Sequence, residues 1–135
     1  ACAENRPWQP MEENTLADSI AVGVPRNADK ALMAIRESHG LVVNVSDEEI
    51  MAAQKLLGMT CGVFGEPAGV TGTAGVNKLC EQGIIGKNDT VVSVVTGNGL
   101  KDVANAIKFC GEPMKLPNDL SLLTAEFDRR GIVTD

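Results

Sequence analysis

Short runs of β-branched and small apolar residues alternate along this chain with segments whose apolar residues recur at helical spacing. The runs LVVNV (41–45) and TVVSVV (90–95) have the length and composition of buried strands. A weaker strand is predicted at 62–65. Because strands that alternate with helices pair in parallel through right-handed crossovers, this order predicts an α/β fold, a three-layer parallel sheet with helices on both faces.

Local signals place helices between and after these strands. Asn27 is a suitable N-cap for a helix that runs through Ser38, with Gly40 as its stop. Ser46 and Glu49 have the spacing of a capping box, which opens a helix ending near Gly58. Three further helices are predicted: Pro67 to Gln82 with Gly83 at its end, Lys101 to Phe109, and Leu120 to Arg130 opened by Asp119.

Composition narrows the classes of function. A chain of 135 residues with 44% hydrophobic content is enough for a single domain. Its formal net charge of −6 and scattered basic residues offer no surface that could follow phosphates, so nucleic acid is not expected as a partner. Its 4 cysteines are too widely spaced for a metal knuckle, so no metal site is predicted and a reduced, cytoplasmic protein is expected. No apolar run reaches the length of a membrane span, and the first residues lack a signal-peptide pattern.

The turn TGNG (96–99) follows the predicted strand 90–95 and is the first candidate ligand site. Ligands of open α/β sheets bind beyond the carboxyl ends of the strands. Thr96 offers a hydroxyl there, and Gly97 permits close approach of the backbone. The residues fit a plain glycine turn equally well, because the third glycine of a dinucleotide fingerprint is absent.

A second candidate is Glu66 in the stretch EPAGVTGTAG (66–75). It is expected at a strand end just before a helix, where it would face the same crevice as Thr96; a solvated acid is the alternative. The three glycines of this stretch recur every three residues, which predicts a helix face for close packing rather than a phosphate loop. His39, the only histidine, is expected to lie at a helix end without a catalytic role.

Three stretches together resemble one family: residues 19–57, which begin SIAVGVPRN and end AAQKLL, then FGEPAG (64–69) and VVSVVTGNGLKD (91–102). They are similar, in this order, to the C-terminal part of threonine synthase, a pyridoxal-phosphate enzyme of the tryptophan-synthase-β-like fold. The resemblance runs from about Thr15 to Asp102. TLADSIAV and EPAG also look like serine and threonine dehydratases, so such an enzyme stays an alternative. A free-standing, non-catalytic α/β module that binds a small ligand is another.

The resemblance implies roles for individual residues. Thr96, before Gly97, is similar to the Ser or Thr whose hydroxyl bonds the pyridine nitrogen of the cofactor. Ser19 matches the small residue that lies against one face of the cofactor ring. Glu66 matches an acid that lines the same cavity in a supporting role. Asn98 departs from the family, whose members often have a basic residue or His there.

The resemblance also implies that residues 1–135 form the C-terminal part of a large domain, with a partial strand and loop at 1–14 and a helical tail at 119–135. No counterpart of the Schiff-base lysine or of the cofactor's phosphate loop is recognised. The complete enzyme would be a carbon-oxygen lyase that converts O-phosphohomoserine and water to threonine and phosphate, and this piece alone would be inactive. The implied partners are the missing N-terminal part of the same enzyme, an amino-acid phosphate substrate and a second copy in a homodimer.

Overall fold

The computed structural model describes residues 6–116 and 118–132. The strand tail expected at the first four residues therefore lies outside the described residues. Within them the chain forms five α-helices and two 3-10 turns, Asp18–Ile20 and Gly99–Lys101. The helices are α1 (Ala28–Glu37), α2 (Asp47–Cys61), α3 (Pro67–Glu81), α4 (Val103–Cys110) and α5 (Leu120–Arg130). No helix in this part of the chain is both long and apolar enough to cross a bilayer.

Helix α2 begins at the predicted capping box. The Ser46 hydroxyl accepts a hydrogen bond from the Glu49 backbone N–H at 3.2 Å, and the Glu49 carboxylate accepts one from the Ser46 N–H at 2.6 Å. Glu49 also pairs with Lys78 of α3 at 2.9 Å, and these contacts hold the pKa of the Glu49 carboxyl below its usual value. The predicted end at Gly58 is wrong: α2 continues to Cys61, and Gly62 after it has a φ of 65°, the left-handed conformation that ends a helix.

Helix α1 ends as predicted at its C-cap Ser38, but the residue that stops it differs from the prediction. His39, not Gly40, takes the left-handed conformation, with φ of 52°. The Gly40 N–H then reaches back to the Ile35 carbonyl at 2.8 Å, the hydrogen bond of a Schellman motif. The backbone conformation of His39 therefore ends the helix. The identity of its side chain does not predict this role.

The predicted strand segments form no ladder among the described residues, where the only pairing is an isolated antiparallel bridge between Gly65 and Asn98. Residues 41–45 and 90–96 make no backbone hydrogen bond there. Both segments instead lie along α3: the Ser93 and Thr73 hydroxyls are 2.9 Å apart, and Val43 faces Gly75. A ladder needs a second strand at about 4.8 Å. The described residues do not provide one, so the predicted three-layer sheet is not confirmed.

Packing of α2 against α3 forms the core. Its buried side chains are small or medium in size: Ala17, Ile50, Ala53, Val70 and Ala74. Gln54 is also buried, and its side-chain amide donates to the Gly65 carbonyl at 2.7 Å. This hydrogen bond ties the segment before α3 to α2 and so helps to fix where α3 begins.

The capping box gives a test of local stability. We expect Ser46→Ala to lower the free energy of unfolding by about 1 kcal/mol, because the Glu49 N–H loses its acceptor. The measurement is urea unfolding of the full-length protein. Ser38→Ala is the matched control, since the Ser38 hydroxyl only donates to a carbonyl of its own helix at an exposed position. Equal effects of the two substitutions would contradict the assignment of Ser46 as the stabilising cap.

Candidate functional site

The turn 96–99 lies directly against the start of α3. The Glu66 N–H donates to the Gly97 carbonyl at 2.9 Å, and the Gly99 N–H donates to the Phe64 carbonyl at 2.9 Å. A Cβ at Gly69 would lie 2.8 Å from the Gly97 nitrogen, and a Cβ at Gly97 would overlap the Glu66 carboxylate. Gly69 has no room for a side chain because it lies against the Gly97 backbone, whereas a side chain at Gly97 would have to displace the Glu66 carboxylate.

The glycines of α3 form the predicted packing face. Gly69 faces Gly97, and Gly75 faces Val43, where an added Cβ would lie 3.2 Å from a Val43 methyl carbon. Gly72 has more room, since its nearest neighbour would be the Ser93 hydroxyl at 3.8 Å. The prediction of a helix packing face is confirmed, and the contact is tightest at Gly69.

Glu66 is the N-cap residue of α3 and is buried, with 5% of its surface exposed. The alternative of a solvated strand-end acid is therefore wrong. Its Oε1 atom lies 3.3 Å from the ammonium of Lys101, a residue that the sequence reasoning did not single out. The only sequence signal for this pair is a positive charge two residues after the glycine turn.

Thr96 is exposed, and its hydroxyl makes no hydrogen bond with the part of the chain that the structure describes. It lines an open cavity of about 320 Å³ beside the bridge. The other lining residues are mostly apolar or lack a charge: Val63, Phe64, Val95, Gly97 and Asn98. A neutral hydroxyl in a cavity without charged residues can donate a hydrogen bond to a ring nitrogen, so the donor set fits the pyridine end of the cofactor implied by the resemblance.

Asn98 has a local structural role. Its side-chain oxygen accepts from the Leu100 N–H at 2.9 Å and so caps the 3-10 turn that follows. A basic side chain at this position would have no acceptor for that N–H. The Asn98 side chain therefore helps to fix the turn.

Ser19 lies on the first 3-10 turn, exposed, with its hydroxyl 3.3 Å from the Asp18 carboxylate. The segment before it is anchored to α2, because the Asp47 carboxylate accepts from the Thr15 hydroxyl at 2.5 Å and from the Leu16 N–H at 3.0 Å. The turn itself contacts α3. Ser19 thus has a fixed backbone position near α3, but it makes no hydrogen bond with the other candidate residues.

Comparison with known proteins gives a consistent result. The family described as "Pyridoxal-phosphate dependent enzyme" matches residues 1–97. A threonine synthase of Methanocaldococcus jannaschii is 47% identical over 109 residues, 81% of this chain and 27% of the relative. A threonine synthase of Methanosarcina acetivorans is 50% identical over 104 residues, 76% of this chain and 26% of the relative. One from Mycobacterium tuberculosis is 40% identical over 105 residues, 78% of this chain and 29% of the relative.

The chain therefore spans between a quarter and a third of the length of these curated relatives, with shares of 26% to 29%. The motifs around Thr15 and Glu66 and the turn up to Gly97 all lie within the matched family range. The match thus covers each residue proposed from the sequence for the site.

The glycine face provides a paired test of the close approach. We expect Gly69→Ala to destabilise the protein by about 1–3 kcal/mol, because the new methyl group would collide with backbone that has no room to move. Gly72→Ala, in the same helix but facing open space, should be neutral or stabilise by about 0.5–1 kcal/mol. Urea unfolding of both variants in the full-length protein measures the difference. Similar effects at the two positions would show that α3 does not closely approach the turn.

Proposed function

The chain belongs to the family of pyridoxal-phosphate-dependent enzymes, and from this premise we propose that it is the C-terminal part of a cytoplasmic threonine synthase. The complete enzyme converts O-phosphohomoserine and water to threonine and phosphate. Identities of 40% to 50% with threonine synthases over most of the chain support this choice over a dehydratase. In this proposal residues 1–135 belong to the large domain and form one wall of its cofactor site.

The observation that carries the proposal is the Thr96 hydroxyl, which has no described hydrogen-bond partner and lines an open cavity without charged residues at the end of segment 90–95. When bound, pyridoxal phosphate supplies an electron sink for substrate carbanions. The role of Thr96 is to donate its hydroxyl hydrogen to the ring nitrogen. Because a hydroxyl is neutral, it orients the ring without holding the nitrogen protonated as a carboxylate would.

Three further residues shape the same wall. Gly97 lets the turn lie against α3, and the Glu66 carboxylate fills the space behind it. Ser19, whose side chain is small, leaves room for one face of the ring. These roles are supported by the motif matches and by the local packing. In this proposal no charged side chain of the chain contacts the ring nitrogen.

The exposed surface supports the proposal that the N-terminal part of the same enzyme covers this wall. The chain exposes 10131 Å², whereas a compact monomer of its 14.2 kDa would expose about 6,800 Å². Val92 and Val94 are 84% and 70% exposed in a segment without backbone pairing. The excess, about 3,300 Å² on this one chain, is larger than the share that one partner of an obligate interface buries, about 1,000–2,500 Å². A free-standing module would instead cover such residues itself.

The reaction assay separates the proposed function from its alternatives. The full-length protein, supplied with pyridoxal phosphate and O-phosphohomoserine, should release phosphate and threonine in equal amounts. Ammonia release from serine or threonine without phosphate release would assign a dehydratase, and binding without turnover of any of these substrates would assign a non-catalytic module. The isolated 135-residue chain should be inactive, because none of its lysines lies in a motif of the family's cofactor-binding lysine.

Thr96 can be tested within this assay. We expect Thr96→Ala to lower kcat about 10- to 100-fold, because one hydrogen bond to the ring nitrogen is lost. Cofactor absorbance should be retained, because the lysine that binds the cofactor covalently is a different residue. Thr96→Ser should keep most of the activity. Thr124→Ala is the control, since that hydroxyl bonds only to its own helix in α5. Unchanged kinetics in Thr96→Ala would remove Thr96 from the mechanism.

A further inference from the structure

We propose that Lys101 is a positioning residue, which holds the Glu66 carboxylate against Gly97 and thereby fixes the backbone that carries Thr96. The inference rests on the proposed function for the role of Thr96, but the clamp itself is a property of this chain. Its components are Lys101, Glu66 and the turn 96–99. This clamp fixes the position of the Thr96 hydroxyl, which makes no hydrogen bond with a described residue.

Glu66 carries a charge in an almost fully covered position. Its side chain is 7% exposed, whereas that of Lys101 is 63% exposed. The Lys101 ammonium is the only described donor to the carboxylate, at 3.3 Å from Oε1. A buried carboxylate without a partner is costly, so loss of Lys101 favours movement of the Glu66 side chain towards water.

Movement of Glu66 would directly affect the turn. The carboxylate fills the space where a Cβ of Gly97 would lie, and the Glu66 N–H holds the Gly97 carbonyl at 2.9 Å. Thr96 is the adjacent residue, and its hydroxyl makes no hydrogen bond with a described residue. The position of this hydroxyl therefore depends on the backbone that Glu66 supports.

The backbone that carries Lys101 is held in a fixed conformation by two contacts. Gly99 is buried beneath the Phe64 ring, where an added Cβ would overlap the ring atoms. The Asn98 side chain caps the 3-10 turn through the Leu100 N–H at 2.9 Å. Since both contacts fix the turn Gly99–Lys101, the Lys101 side chain starts from a defined place and closes the loop on Glu66.

Two backbone amides report directly on this clamp, those of Glu66 and Gly99, because each donates across the contact between the turn and the start of α3. Hydrogen exchange at single-amide resolution in the cofactor-free, full-length protein measures them. The amide of Ile50, which donates to the carbonyl of the N-cap residue Ser46 at the start of α2, is the reference amide outside the contact. Exchange at Glu66 and Gly99 is read relative to this reference.

We expect Lys101→Met and Glu66→Gln each to speed exchange at both reporter amides about tenfold, with no change at Ile50. The double variant should be no faster than the single ones, because both remove the same interaction. Lys101→Arg should restore exchange to within about twofold of the wild type, since its charge can still reach the carboxylate. Lys87→Met is the charge-matched control at an exposed loop position and should have no effect.

Steady-state kinetics of the same variants complete the test. A positioning role predicts that Lys101→Met lowers kcat with little change in KM, and that Lys101→Arg recovers kcat. Unchanged exchange in Lys101→Met, additive effects in the double variant, or a raised KM with unaltered exchange would overturn the proposal; the last would assign Lys101 to an anionic group of the substrate. Failure of the wild type to release phosphate would refute the proposed function, whereas the exchange result would still decide whether the clamp exists.

Discussion

The contact between the Gly97 backbone and the first turn of α3 determines where each part of the candidate site lies. Gly69 lies against the Gly97 backbone without room for a side chain, and the Glu66 carboxylate occupies the space where a Gly97 side chain would begin. Two backbone hydrogen bonds, from Glu66 and from Gly99, close the contact on both sides. Because α3 is itself packed on α2, the core of the chain sets the position of the turn and of the Thr96 hydroxyl.

This arrangement separates charge from the proposed ring site. The Glu66 carboxylate lies behind the turn and is paired with Lys101, while the group at the cavity is the neutral hydroxyl of Thr96. A carboxylate in direct contact with a ring nitrogen would favour its protonated form. The glycine turn thus places a neutral donor in front of a buried carboxylate that is paired with an exposed lysine, which suits the proposed cofactor site in which the electron sink is moderated.

The helices were predictable because their ends carry local chemistry. The Ser46 and Glu49 capping box, Pro67 in the first turn of α3 and Asp119 before α5 are short-range signals, and the structure confirms each helix start. The ends of α1 and α2 were less predictable, since several residues near a helix end can adopt the left-handed conformation. Local preference also predicted the strand segments, but a ladder depends on a neighbouring strand that the described residues do not supply.

The site was predictable only in part. Thr96, Gly97, Glu66 and Ser19 came from motifs and from a family resemblance, which the family match over residues 1–97 supports. The contacts that position them join residues far apart in sequence, such as Lys101 with Glu66 and Asp47 with Thr15. Neither spacing nor composition indicates such pairs, because they form only once the helices have packed.

The most direct test of the account is a crystal structure of the full-length protein with bound pyridoxal phosphate. The account predicts that the Thr96 hydroxyl oxygen lies about 2.7–3.0 Å from the pyridine nitrogen. It also predicts that Glu66 stays paired with Lys101 behind Gly97. A pyridine nitrogen bonded to a carboxylate, or a cofactor whose ring is remote from Thr96, would contradict it.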